Sequence, residues 1–103
     1  KINAEGKEVY FSHGDFVPWH IRKYAEGYIL WDWEYCGFRF YGFDLIHFAW
    51  QVENKLNKKD VQQAFYDAIV ECKKWDDKLR NYEDSELEKM YLEELHKQFG
   101  DVL

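Results

Sequence analysis

An α+β fold is predicted by three observations in the 103-residue sequence. Short aromatic and β-branched runs, punctuated by glycine, occupy residues 1–42, and helical periodicities occupy 43–103. The two kinds of pattern are segregated rather than alternating, which separates α+β from a parallel α/β sheet. A hydrophobic content of 47%, with 20% aromatic residues, is enough apolar surface for one core and far from the composition of a disordered chain. One domain over 1–103 is expected, with a β region followed by a helical one.

Taken in order, Glu8 to Phe11 (EVYF), His20 to Tyr24 (HIRKY) and Tyr28 to Trp31 (YILW) are runs of strand length. The AEG tripeptide between the last two reads as a three-residue hairpin loop carrying Gly27, so a small antiparallel sheet is expected. Pro18 falls between the first two runs, where its missing N–H breaks no ladder. From Phe43 onward Leu45, Phe48, Ala49 and Val52 recur at i, i+3, i+4 and i+7, predicting a first helix that buries that stripe. Asp60 with Gln63 is an N-terminal capping signal for a second helix, whose stripe is Val61, Ala64, Phe65, Ala68, Ile69 and Cys72. Ser85 with Glu88 opens a third helix on Leu87, Met90, Tyr91 and Leu95, expected to end at Gly100. Trp19, Trp31, Trp33, Phe38, Phe40, Tyr41 and Phe43 read as core residues rather than as a stacking platform.

The charge balance excludes several functions. A net charge of −6 and a pI near 5.1 leave no basic stripe for phosphate backbones or anionic lipid, so neither a nucleic acid nor a membrane is an expected partner. The lysines of Asn54 to Lys59 read as a solvated turn, and the acidic stretch from Glu83 to Glu94 as a solvated helix face. No apolar run approaches the ~18 residues of a membrane span. Cys36 and Cys72 lack metal-ligand spacing and do not form a disulfide framework, so a reducing, cytoplasmic setting is expected.

Chemistry concentrates in two short segments, SHGDFVPWHI (Ser12 to Ile21) and YILWDWEYCG (Tyr28 to Gly37). The first reads as HGDxxxxH in a loop after a strand; a hairpin then returns the chain to Asp32 at the end of a hydrophobic strand. Two carboxylates on neighbouring strand ends suit phosphoryl transfer, in which one carboxylate orients the acceptor hydroxyl and another holds magnesium across the phosphates. HGDFVPWHI, LWDWEYCG and the later GFDLIHF together resemble the aminoglycoside phosphotransferase and choline kinase family, the small-molecule branch of the protein-kinase-like fold. The resemblance runs from Val9 to about Gln51 and more loosely into the helices.

That resemblance implies a carboxy-terminal-lobe segment acting on ATP, or another nucleoside triphosphate, with Mg2+ and a small hydroxyl-bearing acceptor. Asp15 would be the catalytic base, His13 would support the catalytic loop, Asp32 would be the metal carboxylate, and Asp44 would anchor the loop from a helix start. His20 stands where the family has Asn, and an imidazole nitrogen is a softer ligand than magnesium favours. The family's nucleotide-covering lobe has no counterpart in the few residues before Ser12, so the isolated chain is expected to be inactive. Two other readings stand beside this one. A non-catalytic kinase-like remnant would bind a partner or form a homodimer. A metal-dependent hydrolase would use His13, His20 and Asp32 as zinc ligands. Glu34 reads as a solvated loop acid and His47 as a packing residue on the first helix.

Overall fold

The computed structural model describes residues 2–4 and 7–100. The chain is α+β. Five strands come first: β1 (Ile2–Ala4), β2 (Lys7–Ser12), β3 (Ile21–Tyr24), β4 (Gly27–Leu30) and β5 (Gly37–Arg39). Three helices follow: α1 (Phe43–Gln51), α2 (Val61–Trp75) and α3 (Asp84–Phe99). The strands form two antiparallel sheets, one ordered β1-β2-β5 and the other the β3-β4 hairpin. In the first, Ser12 pairs with Gly37, so β2 is held by β5 up to the residue at which the HGD loop leaves the sheet.

Several details differ from the sequence expectation, among them the extra strands β1 and β5 and the division into two sheets. The hairpin pairs Tyr24 with Gly27, so Ala25 and Glu26 alone make the turn and Gly27 opens β4. His20 ends a single 3-10 turn, Pro18–His20, instead of starting a strand. Pro18 suits the first position of that turn because its fixed φ needs no N–H partner there. The third helix has Glu83 as N-cap with no side-chain cap bond, and Ser85 lies inside its first turn.

A further difference concerns α1. Its buried residues are Phe43, Ile46, His47 and Trp50. The Leu45, Phe48, Ala49 and Val52 stripe instead lines a side cleft with Cys72 and Trp75. Apolar residues cover most of this helix, so two stripes compete, and the one carrying the larger Phe and Trp rings takes the core.

Helix α2 behaves as expected: Asp60 accepts the Gln63 backbone N–H at 3.0 Å, and Ala64, Phe65, Ala68, Ile69 and Cys72 are buried. Only Val61 of its predicted stripe is exposed. Helix α3 contributes Leu87, Tyr91 and Leu95 and stops at Gly100, which takes a positive φ of 78°. The three helices and Leu79 close one core, to which each fully buried large side chain contributes about 1.5–3 kcal/mol. Gly42 lets α1 pack tightly here: its φ is 92°, and a Cβ would lie 2.7 Å from a Leu79 methyl.

The β region is thinly covered. Of the aromatic residues expected in the core, Phe43 is buried and Phe40 and Tyr41 pack against its edge. Trp19, Trp31, Trp33 and Phe38 are between 44% and 50% exposed, because two small sheets offer no second layer to bury them. Among the described residues no helix is long and apolar enough to cross a membrane.

Candidate active site

The HGD loop is held from both sides. Asp44, in the first turn of α1, accepts the backbone N–H of His13 at 2.8 Å and of Gly14 at 3.1 Å, one on each carboxylate oxygen. From α3, the Gln98 amide donates to the Gly14 carbonyl at 2.6 Å. Arg39 donates to the Tyr35 carbonyl at 2.8 Å and also to the Gln98 side-chain oxygen, which orients the amide. Gly14 is required here: its φ is 94°, and a Cβ would run into the Tyr35 carbonyl.

His13 is a strut rather than a reacting group. Its Nδ1 accepts the Asp15 backbone N–H at 3.0 Å, so its Nε2 carries the proton and donates to the Trp31 carbonyl at 2.7 Å. Both nitrogens are thus engaged, the side chain is buried, and the ring lies 4.5 Å from that of Trp33. The bond to Trp31 ties the HGD loop to the chain immediately before Asp32. It also leaves no lone pair for zinc, which removes the ligand set proposed for a hydrolase; among the described residues no group of three or more His, Cys, Asp or Glu side chains is arranged to hold a metal ion.

Asp15 sits at the end of a three-residue relay. His47 Nε2 lies 2.8 Å from Asp15 Oδ1, and His47 Nδ1 lies 2.7 Å from the Tyr91 hydroxyl. An ionised carboxylate only accepts, so Nε2–H donates to Asp15 and the Tyr91 O–H donates to Nδ1. Burial pushes the Asp15 carboxyl up, but the His47 hydrogen bond and the electrostatic influence of the His47, His20 and His13 rings outweigh it and hold the group below its ordinary range. Burial first, and then the Asp15 charge, push the Tyr91 phenol well above its ordinary value, which keeps it a donor. His47 is a packed residue, 1% exposed and stacked on Phe43 with ring planes 9° apart, but it also grips the motif carboxylate.

His20 stands between Asp15 and Asp32. Its Nδ1 lies 2.9 Å from the Asp15 carbonyl, to which it donates, and its Nε2 is 3.5 Å from Asp32 Oδ2. In the neutral ring that Nε2 carries a lone pair facing a carboxylate, an arrangement completed by a proton or a shared cation. Asp32 has a φ of 64°, a left-handed backbone that Asp tolerates better than most residues, and its side chain is about half exposed. One carboxylate and one imidazole are too few to cage a cation. They do suit one that brings most of its oxygen ligands as phosphates and water, with the nitrogen favouring manganese over magnesium. Glu34 is exposed, as a solvated loop acid should be.

Asp15 lines a cleft of about 380 Å³ together with Trp19, His47, Trp50, Gln51, Lys55, Leu95 and Phe99. Another cleft, of about 410 Å³, lies between α2 and α3; it shares Trp50 as a wall and contains none of the motif residues. The structure therefore brings Asp15, His13, His20, Asp32 and Asp44 into one connected network, and adds His47, Tyr91 and Gln98. His47 lies one helical turn after Asp44, a spacing that could have marked it, whereas nothing local marks Tyr91 or Gln98. No family model, curated protein or solved structure matches the chain.

Proposed function

We propose that the chain is the catalytic-loop portion of a small-molecule phosphotransferase of the aminoglycoside phosphotransferase and choline kinase type. The observation that carries this reading is the Asp15 carboxylate, kept ionised by a buried histidine, with a second carboxylate, Asp32, on the far side of the His20 imidazole, whose Nδ1 is bonded to the Asp15 backbone carbonyl and lies 3.9 Å from its carboxylate. Asp15 Oδ1 is occupied by His47, which leaves Oδ2, 3.9 Å from His20 Nδ1, as the oxygen that would receive the proton of an acceptor hydroxyl. Asp32 and His20 would hold the divalent cation of a nucleoside triphosphate. A cation bound there would supply neutralisation of the phosphate charge during transfer of the γ-phosphoryl group. Asp44, Gln98 and His13 fix the loop so that this carboxylate is already in place when the acceptor arrives. A cytoplasmic setting, where nucleoside triphosphates are plentiful and the free thiols of Cys36 and Cys72 stay reduced, belongs to the same proposal.

The test is a titration of magnesium ATP and then manganese ATP, followed by amide NMR, with Asp32→Asn as control. Shifts centred on Asp15, His20 and Asp32 that vanish in the variant are expected, larger with manganese. The exposed aromatic residues Phe11, Phe38, Trp31 and Trp33 favour one competing reading, a remnant that pairs with a second copy. Silence towards both nucleotides, together with a concentration-dependent dimer in sedimentation, would overturn the phosphotransferase in favour of that remnant.

A further inference from the structure

We infer that the cleft beside Asp15 is an acceptor site for a carbohydrate ring without positive charge, and that it prefers an anionic sugar to a neutral one. The inference rests on the phosphotransferase reading for its chemistry, since Asp15 is the group that meets the reacting hydroxyl. It rests on the cleft alone for its ligand class.

Trp19, Trp50 and Phe99 give the cleft aromatic walls, and its volume of about 380 Å³ lies in the range of small-ligand sites. Such walls suit the apolar C–H face of a pyranose. Lys55 brings only donors and the Gln51 amide can donate or accept; Trp50, which walls this cleft and the one between α2 and α3, has an indole N–H buried without a hydrogen-bond partner. A buried donor left unpaired is costly, and a ligand oxygen that reached the indole N–H through a small shift of this wall would relieve it. Among the described residues Asp15 is the only acid lining the cleft, and one of its oxygens is already bonded to His47. A ligand offering many acceptor oxygens and one hydroxyl to donate to Asp15 matches this pattern. A cation matches it poorly. Aromatic faces alone would attract a quaternary ammonium, but Lys55 stands at the same cleft and forms no ion pair among the described residues.

The 103-residue chain is titrated, without nucleotide, with glucuronate, glucose, glucosamine and choline, and binding is read by tryptophan fluorescence and by saturation-transfer NMR on the added compound. Glucuronate should bind tightest, glucose next, and glucosamine and choline weakest. Reversing the exposed charge with Lys55→Glu should weaken glucuronate about tenfold and leave glucose within about twofold, as expected for a solvated charge pair turned from attraction to repulsion. Trp50→Phe keeps the wall but removes the N–H, and should weaken both sugars about fivefold. Choline or glucosamine binding as tightly as glucuronate would overturn the inference. So would the absence of sugar binding, or indifference of glucuronate to Lys55→Glu. The nucleotide titration on the same sample separates the two proposals. Sugar binding with silent Asp32 amides leaves the cleft standing and removes the phosphotransferase, and the converse result does the reverse.

Discussion

Replacing Asp44 by alanine removes the acceptor for two backbone N–H groups at once, those of the buried residues His13 and Gly14. No neighbouring side chain is positioned to replace it, because the loop's other ties are to different atoms: the Gly14 carbonyl, the His13 ring and the Asp15 carboxylate. An unsatisfied buried donor costs about 1–3 kcal/mol, and hydrogen bonds to a charged acceptor lie at the upper end of what a single bond contributes. The site is only partly buried, so we take the lower half of that range for each bond and expect about 3 kcal/mol in all. Against a typical total of about 5–15 kcal/mol this is a large share, and it should lower the melting temperature by about 15 °C. Urea unfolding followed by tryptophan fluorescence gives the free energy, and native-state hydrogen exchange gives the location. The His13 and Gly14 amides should lose protection in Asp44→Ala well beyond the global change. Asp44→Asn keeps one acceptor oxygen and turns an NH2 towards the other donor, so it should fall between the wild type and alanine. If Asp44→Ala unfolds within about 0.5 kcal/mol of the wild type, or if the two amides exchange no faster than their neighbours, the loop is not held by this carboxylate.

Asp15 is held below its ordinary range in the folded chain, so it binds its proton less readily when folded than when unfolded; its contribution to stability is complete above the ordinary carboxylate range and is lost as pH falls through the folded value. Acid unfolding of Asp15→Asn should therefore lack part of the slope seen in the wild type below about pH 4. In His47→Gln the Asp15 carboxyl should titrate at higher pH, visible in its side-chain carbon chemical shift, and no upward movement would break the proposed relay. For the two thiols, burial and then the Glu71 and Asp76 charges push Cys72 up to about 12, while Cys36 is exposed. A thiol reagent at pH 8 should label Cys36 in the folded chain and reach Cys72 only on unfolding; rapid labelling of both would show that the α1–α2 contact opens easily.

Local signals found what is local. The three helices could be read from their periodicity, and α2 from its cap and stripe, because Asp60 and Gln63 are neighbours in sequence and in space. The buried face of α1 could not, since FDLIHFAW is apolar on nearly every side and only the rest of the molecule decides which side is covered. The sheets split for a similar reason: among the described residues β2 pairs with β1 and β5, whereas β3 and β4 pair only with each other, and the β2–β5 ladder is non-local. In the site, the HGD and WDWE segments pointed to Asp15 and Asp32 through their placement at neighbouring strand ends and through the family resemblance of the motifs. Their partners came from farther away. His47 meets Asp15 across 32 positions, Tyr91 meets His47 across 44, and Gln98 meets Gly14 across 84, separations for which a single sequence holds no pairwise signal. Exposure of Trp31 and Trp33 went unforeseen because aromatic content measures what is available for burial and not what finds a layer to be buried against.

Asp44, His47 and Trp50 occupy every third position of α1, and no two act alike. Asp44 fastens the loop, His47 grips the carboxylate and Trp50 walls the cleft. Successive members step back about 60° around the helix, so the three span about 120° and about 9 Å of its length. They are teeth on one shaft. A residue inserted just before Asp44 would turn the whole set by about 100° and disengage all three together, whereas a substitution at any one tooth leaves the other two in mesh. Sequence drift in this protein should therefore permit exchanges along α1 while forbidding changes in its length, and the loops on either side are where additions and losses of residues should accumulate.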